Sequence, residues 1–147
     1  MDRSPSEMLK DYRYHFLKYK ALDREADEMP LYQSPYIGDS VGHGSEHSDK
    51  TAHAAAAHDV MIEKIRAEVA AFACLYGPCS DATWLLDSFE DMAIINDRFI
   101  NGLSYEEIAK SYGFTYDHAR KRIRKALAEI DHKAALGEKP RMMADRF

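Results

Sequence analysis

The stretch FINGLSYEEIAKSYGFTYDHARKRIRKALAEI, Phe99–Ile130, decides how the chain is read. Ser104 is followed three residues on by Glu107, so the serine hydroxyl can accept a first-turn amide while the glutamate reaches back to the serine amide. That pair predicts a helix start. Leu103, Ile108, Ala109 and Tyr112 then fall at a helical repeat, and Gly113 supplies the residue that tolerates positive φ where the helix ends. Thr115 offers a second hydroxyl cap. Beyond it Ala119, Ile123, Ala126, Leu127 and Ile130 recur at steps of four, three, one and three, which makes one apolar stripe. Small Ala109 and Ala119 suit a close crossing of the two helices. The reading is helix, tight turn, helix.

The remaining faces of the second helix carry charge. Between Thr115 and Lys125 stand Arg120, Lys121, Arg122, Arg124 and Lys125 against the single acid Asp117, in a chain whose net charge is −5. Basic charge confined to one helix of an acidic chain is the footprint of a phosphate-binding element, and the first residues of such a helix are the ones placed at base edges in a major groove. Arg120, Arg122, Arg124 and Lys125 are therefore expected on phosphates, with Thr115 at the helix start and Tyr116, Asp117 and Lys121 supplying base discrimination. An ordinary amphipathic helix with a solvated basic face is the competing reading. Cap, glycine turn, small crossing residues and charge reversal all fall within one short window, which favours a DNA-binding helix-turn-helix.

The same run resembles region 4 of sigma-70-type factors, whose usual form is a Gly-Leu-Ser/Thr turn, Glu-Ile-Ala, a Gly turn, a Ser/Thr cap and a basic helix ending in Arg/Lys-Ala-Leu. Here the pattern falls on Gly102, Leu103, Ser104, Glu107, Ile108, Ala109, Gly113, Thr115, Arg122, Lys125, Ala126 and Leu127, about a fifth of the chain. The resemblance implies that Tyr116, Asp117, Arg120, Lys121 and Arg124 face DNA. It departs from the pattern at Tyr116, Asp117 and Ala119. No region 2 is recognisable, which argues against a complete sigma factor that melts a promoter. In layout, with two long helices ahead of a region 4-like module, the chain resembles the small phage-encoded ArpU- and RinA-type regulators of late genes.

Ahead of the motif, Met8, Tyr12, Phe16, Tyr19, Leu22, Ala26 and Met29 keep a helical repeat, which predicts one amphipathic helix over Ser6–Met29, capped near Ser4 or Ser6 and ended by Pro30. Such a helix would pack on the next one or meet a second copy or RNA polymerase. Residues 31–48 gather Pro, Gly, Ser and His without a period and read as a linker. A second helix is expected from Lys50 to about Tyr76, capped by Ser48 or Asp49, burying Val60, Met61, Ile65, Val69, Phe72 and Leu75, and closed by Gly77 and Pro78. Ser80 is expected to cap a short segment. A further helix over Phe89–Ile100 follows, with Trp84, Leu85, Phe89, Met92, Ile95 and Phe99 as the floor for the motif helices. The tail after residue 133 reads as loosely ordered.

His43, His47, His53 and His58 invite a metal reading, but their spacing matches no closed zinc set and no cysteine stands among them, so no metal and no cofactor are expected. Cys74 and Cys79 read as reduced thiols packing as small hydrophobes. No phosphate loop, His-Glu pair or nucleophile elbow appears, and the chain is not expected to be an enzyme. No apolar run approaches the ~20 residues of a membrane span, and the charged start MDRSPSEMLKDYRYHFLKYK has no signal-type segment, which predicts a cytoplasmic protein.

These observations predict an all-α chain. Residues 1–79 would form a long helical pair for interaction or oligomerisation, 80–133 a helix-turn-helix module whose frame is Gly102, Ser104, Glu107, Ile108, Ala109, Gly113, Ala119, Ile123 and Leu127, and 134–147 a flexible tail. The expected partner is double-stranded DNA, with RNA polymerase and a second copy through the N-terminal helices as further candidates. Two other functions stay open. One is a terminase small subunit for DNA packaging, although its DNA-binding module usually comes first. The other is a module that docks RNA polymerase or a sigma factor without touching DNA.

Overall fold

A computed structural model of the chain describes residues 3–29 and 45–140, with the backbone alone for 45–51. The described residues form five α-helices and one π turn. These are α1 (Pro5–Glu28), α2 (Ser45–Thr83), α3 (Phe89–Ile95), the π turn Asn96–Ile100, α4 (Tyr105–Tyr112) and α5 (Tyr116–Ala135). The chain is all-α, as its periodicity predicts. The linker expected over 31–48 lies outside the described residues up to position 44, as does His43, and 45–48 are already helical. The side chain of His47 and residues 141–147 also lie outside.

Helix α1 starts where its sequence allows. Ser4 Oγ accepts the Glu7 amide at 3.3 Å and the Glu7 carboxylate accepts the Ser4 amide, so two first-turn donors are satisfied reciprocally. The first turn is also pinned from outside. The Ser6 amide and hydroxyl donate to the two carboxylate oxygens of Asp131 in α5, at 3.0 and 2.5 Å, and a carboxylate at a helix N-terminus complements the helix dipole. Because α1 packs on both α2 and α5, its buried face is broader than the expected stripe. Leu9 is fully buried and leads it, whereas Met8 is only half-buried. Further along, Tyr12, Phe16 and Tyr19 meet Phe72 of α2 with ring centroids 5.5 to 5.6 Å apart, in edge-on and tilted geometries that aromatic quadrupoles favour.

Helix α2 corrects the sequence reading at both ends. It begins at Ser45 rather than at the cap expected at Ser48 or Asp49, and it runs through Gly77 and Pro78 to Thr83. A proline inside a helix removes one donor and crowds the carbonyl four residues back, at about 3 kcal/mol. Here Gly77, Pro78 and the position four residues back, Cys74, are all exposed, so water can reach the freed carbonyl. On the opposite side Cys79, Ala82 and Thr83 are buried, with Leu85 and Leu86 just beyond, and their burial offsets the local cost. Ser80 is thus no cap; its carbonyl accepts the Thr83 hydroxyl at 2.7 Å. Burial pushes the Cys79 thiol up to about 12, so it stays protonated. Val60 and Val69, expected in the stripe, are exposed, and a carboxylate, Glu68, is buried instead.

One apolar cluster runs through the described residues. Leu9 and Tyr12 of α1, Cys79 and Ala82 of α2, Met92, Ile94, Ile95 and Phe99 around the π turn, Ile108 and Ala109 of α4, and Ala119, Ile123, Ala126 and Ile130 of α5 all belong to it. The boundary expected between residues 79 and 80 therefore falls inside α2 and inside this core. Phe89, expected in the floor, is 71 % exposed at the start of α3. The helix expected over Phe89–Ile100 is present, as α3 continued without a break by the π turn, and Gly102 follows it.

Two outcomes follow. Leu9→Ala should cost about 2–5 kcal/mol in urea unfolding and should shift helicity and Trp84 fluorescence together, because the core is shared. Glu68 is held below its ordinary pKa, first by His15 Nδ1 at 2.6 Å from Oε2, then by Lys18 Nζ at 3.0 Å from Oε1. A carboxylate whose folded pKa is depressed contributes stability above its unfolded value, and loses it as pH falls through the folded one. Glu68→Gln should therefore be less stable than the parent near pH 7, and the difference should shrink as pH falls below the ordinary carboxylate range, read by urea midpoints.

Candidate nucleic-acid interface

The frame of the interface is set by local caps. Ser104 Oγ accepts the Glu107 amide at 3.1 Å while Glu107 Oε1 accepts the Ser104 amide at 3.3 Å, which starts α4. Gly113 ends it at φ +71°, in the left-handed region, and the Phe114 amide closes on the Ala109 carbonyl at 2.8 Å. Thr115 Oγ1 then accepts the His118 amide at 3.1 Å and starts α5. Ile108, Ala109, Ala119 and Ile123 are buried at the α4–α5 contact, and Leu127 is half-buried.

The chain enters this unit through the π turn, which is held from both sides. Asp97 accepts the Tyr112 hydroxyl at 2.6 Å and the Asn101 side-chain amide at 3.0 Å, tying the turn to the end of α4. Burial, aided by that carboxylate, pushes the Tyr112 phenol up to about 12, so it remains a donor. Arg98 donates to the Leu103 carbonyl at 3.1 Å and lays its guanidinium 3.7 Å from the centre of the Tyr105 ring. Gly102, at φ +75°, passes beneath α1, where a Cβ would lie 3.1 Å from both Phe16 and Leu17. Any side chain there would be strained by the positive φ and would need Phe16 and Leu17 to give by a few tenths of an ångström.

On this frame α5 sorts its charges by direction. Thr115, Tyr116, Asp117, Arg120, Lys121, Arg124 and Lys125 are all exposed. Tyr116, at 47 % exposure, stands edge-on to Tyr105 with ring centroids 5.8 Å apart. Arg122 is different. Its Nε donates to Asp91 at 2.8 Å, its Nη1 to Glu90 at 2.9 Å, and its guanidinium carbon lies 5.4 Å from the Phe114 ring centre, leaving its side chain 27 % exposed. The hydrogen bond it donates to Asp91, supported by Glu90, raises its pKa despite partial burial. Arg122 is thus already engaged within the chain, while the other four basic side chains named from the sequence are presented to solvent. Asp91 and Glu90 were not singled out in the sequence. Ser88 followed three residues on by Asp91 was a readable cap signal, and Ser88 Oγ does accept the Asp91 amide at 3.3 Å.

Lys133 closes the far end of α5, its ammonium donating to the Leu85 carbonyl at 2.9 Å and pairing with Asp87 and Glu129 at 2.8 and 3.2 Å. The inward basic groups of α5 are therefore matched by acids or carbonyls, and the outward ones form a basic surface that begins at the N-terminus of the helix. That surface suits a polyanion. His53 and His58 sit at exposed positions of α2, away from this surface in sequence and element.

Comparison with known proteins gives one positive result. Residues 88–132 match the family model described as Sigma-70, region 4. The match starts at Ser88, the cap of α3, and ends at His132 in the last turn of α5, so it takes in every element of the interface and neither α1 nor α2. Neither the curated proteins nor the solved structures yield a match. The matched segment is a sigma-70 region 4-like helix-turn-helix, a DNA-binding unit of regulatory type, and among the described residues no helix is long and apolar enough to cross a membrane.

Arg122→Ala strands two carboxylates against α5 and should destabilise the fold by about 1–3 kcal/mol in thermal or urea unfolding. Arg124→Ala, on the exposed face, should stay within about 0.5 kcal/mol of the parent.

Proposed function

We propose that the chain is a sequence-specific transcription regulator of phage or prophage origin that sets α5 into the major groove of DNA. The observation that carries this reading is the exposed basic set Arg120, Lys121, Arg124 and Lys125 on the second helix of a region 4-like module, in a chain whose net charge is −5. The net negative charge of the chain opposes DNA while this exposed basic helix attracts it, so the charge distribution favours approach by α5. In this reading Arg120, Arg124 and Lys125 hold phosphates, and Tyr116, Asp117 and Lys121 meet base edges. Arg122, although aligned with the motif, acts inside the protein by fixing α5 to α3. Thr115 starts the helix. The phage assignment rests on layout, two long helices ahead of the module as in the ArpU- and RinA-type late regulators. The protein is read as a cytoplasmic, non-enzymatic factor, and α1 and α2 leave surface for a second copy.

A second reading has one observation in its favour. The same acidic excess suits a module that docks RNA polymerase without holding DNA, and a salt-insensitive complex with polymerase would identify it.

Gel-shift binding to DNA from around the chain's own gene tests the first reading. Arg120→Ala should weaken binding to all sequences and flatten the dependence of log affinity on log salt by about 0.9, one phosphate's share. Lys121→Ala should in addition change the ranking of sites, by about 1–3 kcal/mol at the base it reads. Equal losses with an unchanged salt slope would remove these roles, and no retention at low salt would remove the regulator reading.

A further inference from the structure

Three arginines among the described residues are half-buried: Arg13, Arg98 and Arg122. Arg122 is answered by two carboxylates. Arg13 and Arg98 have none among the described residues, although the chain holds more acids than bases. They are also neighbours. Arg13 Nε donates to the backbone carbonyl of Arg98 at 3.1 Å, which carries the α1 guanidinium to the π turn. Arg98 Nη1 donates to the Leu103 carbonyl, and its buried Nε has no partner. Burial and the nearby Arg98 charge both push Arg13 below its ordinary pKa.

Arg13 has one backbone carbonyl, and Arg98 has one carbonyl and the Tyr105 ring; two like charges held in a partly dry place without a carboxylate are costly unless an anion joins them. Guanidinium groups offer donors in a planar fork that matches the tetrahedral oxygens of a phosphate. The position of the pair narrows the source. Arg98 stacks on Tyr105, and Tyr105 stands edge-on to Tyr116, the first residue of α5, so the pair is one aromatic ring away from the start of the proposed reading helix. Of the acids close in sequence, Asp97 accepts from Tyr112 and Asn101, and Glu107 in the first turn of α4 is spent on the Ser104 cap.

We propose that Arg13 and Arg98 together form a phosphate-binding site, and that its occupant is a DNA backbone phosphodiester passing the start of α5. The identity of the occupant rests on the DNA-binding reading above. The site makes α1, which lies outside the family-matched segment, part of the interface. It adds one charge contact that carries no base information.

The test uses the full chain and a duplex to which the parent binds. Arg13→Gln can keep the hydrogen bond to the Arg98 carbonyl while removing the charge, and Arg13→Lys keeps the charge; Arg13→Met, with a similar aliphatic stem, replaces the Gln variant if that one does not fold. The neutral variant should flatten the salt slope by about 0.9 with the ranking of sites unchanged, while Arg13→Lys keeps the parent slope. A neutral variant with the parent slope overturns the proposal. If the parent itself is not retained on DNA, the regulator reading and the phosphodiester fall together. Replacing chloride by inorganic phosphate at equal ionic strength then decides the site alone. A rise in melting temperature that is larger for the parent than for the neutral variant keeps a free-phosphate site, and equal shifts abolish it.

Discussion

Helix α5 must bury one stripe completely and leave the rest of its surface free, and the remainder of the chain is arranged to permit that. Ala119, Ile123, Ala126 and Ile130 are each no more than 3 % exposed. Helix α4, with eight residues, cannot cover such a stripe, and short helices gain too little alone to persist in water. The cover comes from elsewhere. Leu9 of α1, Leu86 beyond α2, and Ile94, Ile95 and Phe99 around the π turn close over α4 and α5 in the shared core. The region 4-like unit is therefore not self-sufficient here, because part of its hydrophobic cover lies outside the segment that defines it.

Electrostatics then separates the basic groups of α5 by where they point. An inward cation in a half-dry setting is tolerable only with hydrogen-bonded acceptors, and Arg122 and Lys133 each have them. An outward cation costs nothing in water and attracts phosphate. Because Arg122 is neutralised by Glu90 and Asp91, it adds little to the field over the exposed face. The binding charge is thus smaller than the count of basic letters suggests, and more sharply placed.

This sorting explains which features were legible in the sequence. The cap pairs Ser104–Glu107 and Ser4–Glu7, the left-handed Gly113 and the Thr115 cap all act within three or four residues, so the letters alone identify them. What could not be read depends on distance. Pro78 looks like a helix end because its local cost is plain, while the compensating burial of Cys79, Ala82 and Thr83 depends on elements distant in the chain, α1 above all. Arg122 looked like a phosphate contact because its acids lie 31 and 32 residues away. Glu68 filled a position in an apolar stripe that its partners His15 and Lys18, 53 and 50 residues earlier, make habitable for a carboxylate. Nothing in the five letters of the π turn departs from helical propensity, and what distinguishes it lies outside it, in the bonds of Asp97 to α4 and of Arg98 to the Leu103 carbonyl.

The N-terminal helix is where these threads meet. It grips the module at its two ends, through Ser6 on Asp131 near the end of α5 and through Phe16 and Leu17 over Gly102 just before α4, with Arg13 bonded to the π turn between them. Two anchors on one helix, at its first turn and at its middle, fix a direction as well as a distance. The setting of α4 and α5 relative to each other is local, written in the cap and the glycine turn. Their setting relative to the rest of the protein is imposed by α1.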